Sequence, residues 1–506
     1  MLGSLMPFSD LPVQPVFTPW RMLGRVLKWS GIAALGLTAF VCALLATAFL
    51  INAHDEPLSL QARALLSPPP NPYRPEDNIY LAFQGLDAPA GTSVITAGAA
   101  RIERYNRSIE AVMQDPSAAS VRRLNATDPR GLQLTGDVSF VHPLSASVWQ
   151  AATRHQPEIR KLLADNRELY QRYLDLLPLP GYYETARPSM YAPYSFLPSQ
   201  VHKLFLAAIA LHVRSQFAHE RARALADLEL DARLWRTVFN GEGGLVSKMV
   251  AAASLQADDL LLADMIADPE VALPLTEEDL NALVPAFDPA SWDLGGAFAA
   301  EFRVSSSLLR QTAQLAAGAV AREGPAQSGL RGWLRRLNSR IEAHFFKLNA
   351  TENLFARQTA RRMLIARDPT RPKTTNSELP ASLSEARAWP VRLCYNPVGR
   401  ILAAIADPPY DNYPLRVWDV AALQRLVRLG YEIRRERIGP IAVPSFLEQH
   451  PDWSTHPADG RPFLWDSVKG ELRVQTVARQ QPGRRFAVPV WKPSAPPSLA
   501  PPDDPR

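Results

Sequence analysis

The side chains best suited to meet a ligand lie in one stretch, LPLPGYYETARPSMYAPYSFLPSQ, residues 177–200. Tyr182, Tyr183, Tyr191, Tyr194 and Phe196 occupy a Pro-bearing loop too long for a plain connection, and long loops often carry function. Each ring offers an apolar face and the tyrosines add a hydroxyl, so the set could stack on sugar rings or grip a peptide. The competing reading is a strap whose rings pack down on helices. These five are the ligand or partner contacts that the sequence offers. It points to no catalytic residue, no metal ligand and no cofactor. His212 and His219, seven apart, would share one face of a helix and could supply half of a metal site. The position four beyond His219 is Arg223, however, so HERAR is not HExxH, and both are read as partly buried or surface histidines. Asp258 and Asp259 are adjacent on a helix and diverge, which reads as a solvated face and not as a facing glycosidase pair. Cys394, without a nucleophile signature around it, reads as a small buried hydrophobe. GxSxG, SxxK, Walker and dinucleotide fingerprints do not occur in the body of the sequence.

The elements that must position these residues are mostly helices. The chain has 506 residues, 47% hydrophobic and 21% charged, enough for one large or two medium cores. Its 46 prolines gather in residues 7–19, 67–75, 178–198 and 482–505, marking tails and straps around helical blocks. Cys42 lies in an apolar run, which leaves Cys394 alone in the body. No disulfide within the body can therefore hold the fold, and stability must come from burial. The formal charge is +5; with Asp10, Arg21, Arg25 and Lys28 set aside, 52 basic residues face 49 acidic ones, a net +3. No domain-sized stretch gathers basic charge with interleaved aromatics, so nucleic acid is not an expected partner.

Gly31 to Ile51 is 21 residues without a charge. At about 1.5 Å of rise per residue such a helix spans roughly 30 Å, the hydrocarbon thickness of a bilayer. A cleaved leader has an apolar region of only about 7–15 residues and a small-x-small site, whereas Ile51, Asn52, Ala53 is a poor site, so the segment reads as a retained anchor. Arg21, Arg25 and Lys28 precede it, and Asp55 and Glu56 follow it. The positive-inside rule then keeps the amino terminus in the cytoplasm and places the body outside.

Residues 157–177 set Ile159, Leu162, Leu163, Leu169, Tyr170, Tyr173, Leu176 and Leu177 at three- and four-residue spacing, which predicts one amphipathic helix. A longer helix is predicted over Ser199–Phe239, ended by Asn240 and Gly241, residues that tolerate a left-handed cap. The next runs from Leu245 to Ala267. Joined by GEGG, the two should lie antiparallel, the unit of helical-hairpin arrays, although no fixed repeat period is found. Thr276 with an acid three residues on starts another helix. Helices at about 290–317 and 329–366 complete the central block. Within the latter, RGWLRRLNSRIEAHFFKL reads as a core-facing amphipathic helix that could instead lie on an anionic membrane. Residues 368–380 read as a loop between subdomains. Asn396 then caps a helix whose first position is Pro397, and a helix of about 415–437 turns Val420, Leu423, Val427 and Tyr431 inward. RPFLWD and ELRV flank the turn SVKG as a hairpin, with FAVPVW as a possible third strand.

The phrases LDARLWRTVFNGEGGLVSKMVAAASLQADDLLLADMIAD, CYNPVGRILAAIA and HPADGRPFLWD resemble a set of membrane-anchored proteins of Gram-negative bacteria with no established function. The resemblance covers most of the body and imports no activity. HPADGRPFLWD is also similar to the Asp, Gly, Pro, aromatic hairpin near the end of type II secretion pseudopilins. Those carry a Glu near the start of their apolar helix, and Gly31–Ile51 has no acidic residue, so only the hairpin geometry is implied and the chain is not expected to be a pilin subunit.

The expected fold is therefore mainly α: a single N-terminal transmembrane helix, a helical-hairpin, solenoid-like body and a small C-terminal β-hairpin. The expected organisation is a cytoplasmic tail (1–29), a signal anchor (30–52), a neck and first helical segment with the Tyr-rich loop (53–195), a central helical domain (196–370), an α plus β-hairpin subdomain (371–492) and a disordered tail (493–506). The expected function is that of a non-catalytic protein of the inner membrane, held through residues 31–51, that presents a helical docking surface to a protein partner in the periplasm. The alternative is a periplasmic enzyme acting on envelope lipid or cell-wall glycan. A pocket at the Tyr loop in which titratable groups converge would favour that alternative.

Overall fold

Three- and four-residue apolar spacing dominates the chain, and the computed structural model is accordingly mainly helical, with one small antiparallel sheet near its end. It describes residues 19–114, 131–139, 147–271, 273, 275–322, 341, 343–368, 394–405, 410, 412–478 and 485–491. The expected loop at 368–380, the tail at 493–506 and most of residues 331–342 lie outside the described residues.

The helices follow in order: α1 (Pro19–Ile51), α2 (Leu60–Leu66), α3 (Ile79–Gly85), α4 (Val94–Gln114), α5 (Val148–Arg154), α6 (Gln156–Asp165), α7 (Arg167–Leu176) and α8 (Leu197–Val213). Next come α9 (Ala218–Asn240), α10 (Leu245–Ala267), α11 (Glu277–Leu283), α12 (Gly295–Arg322), α13 (Leu348–Arg367), α14 (Pro397–Ile405), α15 (Asn412–Arg435) and α16 (Val443–Gln449). The strands β1 (Leu464–Asp466), β2 (Glu471–Gln475) and β3 (Arg485–Pro489) pair antiparallel in that order, with Trp465 opposite Leu472 and Leu472 opposite Val488. Gly470, at φ +65°, closes the first hairpin in a conformation that favours glycine.

Residues 27–51 of α1 have a mean hydropathy of 2.4 and are 0% buried, long and apolar enough to cross a membrane. The end of α1 is bonded to the body. Asn52 donates to Cys394 O (2.7 Å) and accepts from Asn396 N (2.8 Å). The carboxylate of Asp55 accepts from Asn349 N (2.8 Å) and Ala350 N (3.1 Å), so it caps α13 from almost 300 residues away in sequence. Asn353 donates to Glu56 Oε1 at 2.7 Å. Beside this junction α2, α12, α13 and α14 share a small core of Ala62, Phe302, Leu309, Phe355, Ala356 and Ala403. Within it Glu352, fully buried, receives Arg310 through Nε (2.7 Å) and Nη2 (3.1 Å) and the hydroxyl of Ser306.

The main core lies between α8, α9, α10 and α15, where Phe205, Trp235, Phe239, Leu261 and Leu423 are buried. At about 2 kcal/mol for each large apolar side chain removed from water, burial of this kind holds the body together without a disulfide. α3 crosses α4 backbone to backbone: a Cβ on Gly98 would sit 1.8 Å from Leu81 O, and one on Gly85 1.8 Å from Val94 O.

Three helix readings are corrected. The helix expected over 157–177 divides at Asn166 into α6 and α7. The buried Asn166 side chain accepts from Thr135 N (2.7 Å) and donates to Thr135 O (2.9 Å) and Leu162 O (2.8 Å), so it competes with the helical backbone. The helix expected over 199–239 divides at 214–217 into α8 and α9. Gly241, at φ −73°, ends α9 in an extended rather than a left-handed conformation. The capping box at Thr276 and Asp279, by contrast, is formed.

Candidate functional site

Asp258 and Asp259 occupy the middle of α10, and both are buried, at 3% and 2% exposure. Their expected place on a solvated face is therefore overturned. The segment is mostly apolar, and with α8, α9 and α15 packed around it even its polar side is enclosed. Asp258 meets two residues from neighbouring helices, His202 of α8 and Asp231 of α9. His202 Nε2 lies 2.9 Å from Asp258 Oδ1 and 3.0 Å from Asp231 Oδ2. The ring nitrogen carries at most one proton, and its hydrogen bond goes to Asp258. Asp231 Oδ2 and Asp258 Oδ2 have no hydrogen-bond partner among the described residues. The other oxygen of Asp231 accepts from Tyr173 Oη (2.6 Å), which in turn accepts from Trp235 Nε1 (3.1 Å), so α7 and α9 fix this carboxylate.

Burial pulls the His202 pKa down, but the Asp231 and Asp258 carboxylates outweigh it and push it up to about 10. Burial raises Asp258 to about 7, helped by repulsion from Asp231 and opposed by His202. Burial likewise lifts Asp259, with Asp258 adding to the rise. Arg236 is the nearby cation, and its guanidinium is committed to the carbonyls of Ala282 (2.5 Å) and Leu283 (2.9 Å). Three acids and one histidine thus share a site of low dielectric with a surplus of negative charge when all are ionised.

His202 forms part of the floor of a groove of about 440 Å³. Leu245, Val246, Met249, Val250 and Ala253 of α10 line it with apolar side chains, and Lys203 of α8 with Tyr413 and Arg416 of α15 line it too. Neither Lys203 nor Arg416 has an ion-pair partner among the described residues; Arg416 lies over the Tyr413 ring at 5.4 Å. The groove therefore offers an apolar surface and two positive charges.

The five predicted contact residues are not brought together in one place. Tyr182 is buried, with its hydroxyl 2.9 Å from Glu184 Oε1 and 3.0 Å from Ser247 Oγ. Tyr183 is half-buried and donates to Pro69 O at 2.7 Å. These two line a second pocket, of about 410 Å³, with Tyr73, Lys248, Glu242 and Asp293. Lys248 donates to the carbonyls of Val238 (2.9 Å) and Gly241, and Glu242 pairs with Arg303. Tyr191 packs against Tyr105, Ile109 and Val112, and Tyr194 makes an edge contact with Phe196, which is exposed.

His212 and His219 fall on different helices, α8 and α9, and both are exposed, so the shared face expected of them is absent. Cys394 is half-buried and its carbonyl serves Asn52. His456, within HPADGRPFLWD, is buried against Asp419 at 3.1 Å, and Asp419 also accepts from Val477 N and Ala478 N. It fastens the strand region to α15.

Sequence reasoning missed His202 and Asp231. No local signal marked them: Asp231 stands among Asp227, Glu229 and Arg233, and His202 beside Lys203, and the period of each helix alone cannot tell that three such residues converge. No protein-family profile matches the chain, and no curated protein and no solved structure is significantly similar to it.

Proposed function

We propose that this chain is a single-pass protein of the inner membrane, its amino terminus cytoplasmic and its body periplasmic, and that the body takes an anionic envelope lipid into the groove beside His202. The supporting observation is the pairing of an apolar wall, Leu245, Val246, Met249, Val250 and Ala253, with the charges of Lys203 and Arg416, which have no ion-pair partner among the described residues. A single amphiphile satisfies both: acyl chains against the wall, phosphate at the cations. This reading puts a lipid, in a groove between α8, α10 and α15, in place of the protein partner expected at a docking surface. A second reading, an enzyme acting on that lipid, is favoured by the buried His202, Asp231 and Asp258 cluster, of which His202 lines the groove.

The test is extraction of the full chain into a mild detergent and mass spectrometry of the lipid that copurifies, with wild type beside Lys203→Glu/Arg416→Glu. An anionic phospholipid at near one per chain, lost in the double variant, supports the reading. Equal lipid in both, or none above the detergent background, refutes it. For the topology, a carboxy-terminal reporter active only in the periplasm should be active, and alkaline carbonate should leave the chain in the membrane.

A further inference from the structure

We infer that His202, Asp231 and Asp258 bind one divalent transition cation in the core of the body, behind the His202 that lines the groove. Three different helices supply the donors, His202 from α8, Asp231 from α9 and Asp258 from α10, and all three side chains are almost wholly buried. The donor atoms lie within 4.8 Å of one another.

The two separations from His202 fit an octahedral ion. Two donors in adjacent positions around an octahedral cation with bonds of about 2.1 Å lie about 3.0 Å apart, against about 3.4 Å around a tetrahedral one. The observed separations from Nε2 are 2.9 Å to Asp258 Oδ1 and 3.0 Å to Asp231 Oδ2, the octahedral edge. One imidazole with two carboxylates suits Mn²⁺ or Fe²⁺, with Zn²⁺ next, and is a poor set for Ca²⁺, which takes six to eight oxygens.

With both carboxylates ionised, hydrogen bonding alone does not account for the arrangement. One N–H cannot serve two carboxylates, and an oxygen of each, Asp231 Oδ2 and Asp258 Oδ2, is buried without a hydrogen-bond partner among the described residues. Charge points the same way, since the adjacent Asp259 adds a third buried acid and Arg236 spends its donors on backbone carbonyls. A dication removes the surplus. The Tyr173 hydroxyl on the far oxygen of Asp231 is the outer partner that orients a ligating carboxylate. The protein fills three positions, and the groove gives access from the side of His202 for water or a ligand oxygen.

The inference shares His202 with the lipid groove but rests on the three donors alone. The full chain is purified in mild detergent without chelator, its metal content is measured, and it is then stripped with EDTA and titrated with Mn²⁺ under electron paramagnetic resonance. About one Mn, Fe or Zn per chain, or stoichiometric Mn²⁺ uptake after stripping, is expected. Asp258→Asn keeps the shape of the side chain and should weaken Mn²⁺ at least 100-fold. Asp231→Asn should do the same, and Lys203→Glu/Arg416→Glu should leave the metal in place while removing lipid. Wild type that carries no transition metal and takes up no Mn²⁺ or Zn²⁺ at 100-fold excess overturns the inference, as does uptake unchanged in Asp258→Asn. If the variants do not fold, the wild-type titration alone decides. Lipid without metal would sink this inference and leave the proposed function standing; metal without lipid would do the reverse.

Discussion

Replacing Lys248 by methionine should change how stability depends on pH far more than it changes stability at pH 7. Lys248 is 3% exposed in the first turn of α10, beside Tyr182 in the second pocket, and its ammonium donates to two carbonyls at the end of α9. Burial lowers its pKa from 10.5 to about 8, with Glu184 and Glu242 resisting the fall. A gap of about 2.5 units amounts to about 3 kcal/mol held against the charged form. Below pH 8 both folded and unfolded chains carry the proton, and the whole penalty is present. Between pH 8 and about 10.5 the unfolded chain holds more protons than the native one, so stability rises with pH until the penalty has gone. Methionine removes that penalty at every pH but leaves two carbonyls without their donor, at about 1–3 kcal/mol. Near pH 7 the opposing effects nearly cancel, so the two proteins should agree within about 2 kcal/mol. From pH 8 to 10.5 the wild type should gain on the variant by about 3 kcal/mol. Guanidinium unfolding of the full chain in detergent, followed by tryptophan fluorescence at half-unit steps, measures the difference, and tyrosine ionisation, common to both, cancels. Parallel stability curves would mean that Lys248 titrates like an exposed lysine and that the corner between α9 and α10 is open to water.

Three further outcomes test the packing around the sites. Arg310→Ala strands the fully buried carboxylate of Glu352 and should cost about 3 kcal/mol, against under 1 for a lysine at an exposed position, read as a lowered melting temperature. Gly98→Ala drives a methyl into the α3 backbone and should cost about 2 kcal/mol or more, visible as loss of folded yield or early chemical unfolding. Asp55→Ala removes two hydrogen bonds from the start of α13 and should cost about 1–2 kcal/mol by thermal denaturation, most of it regained by Asp55→Asn.

What the sequence made legible was whatever depends on near neighbours along the chain. The apolar run of α1, the Thr276 cap and the turn at Gly470 are local patterns, and each stands where its residues predict. Breaks within helices were illegible because their causes are distant: Asn166 interrupts a helix by bonding to Thr135, and nothing near Asn166 announces that partner. The same limit explains the site. Asp258 and Asp259 lie side by side on a helix, and a solvated face is the ordinary fate of such a pair until α8, α9 and α15 close around them. The five aromatic residues were visible as unusual, yet their fates diverged, Tyr182 into the interior and Phe196 to the surface. Loop composition records that rings are present and does not record which element lies beneath each one.

The hydrogen bonds from Asn52, Asp55 and Glu56 to residues 349–353 and 394–396 leave no slack link between the apolar helix and the rest of the chain. With α1 inserted in a bilayer, the protein would behave less like a buoy on a rope than like a mast stepped into its hull. Its openings would keep a constant height and heading above the headgroups, and any tilt of α1 imposed by a thicker or thinner bilayer would re-aim them as one piece. Encounters would then depend on lateral drift and on spin about the membrane normal, and hardly at all on reach.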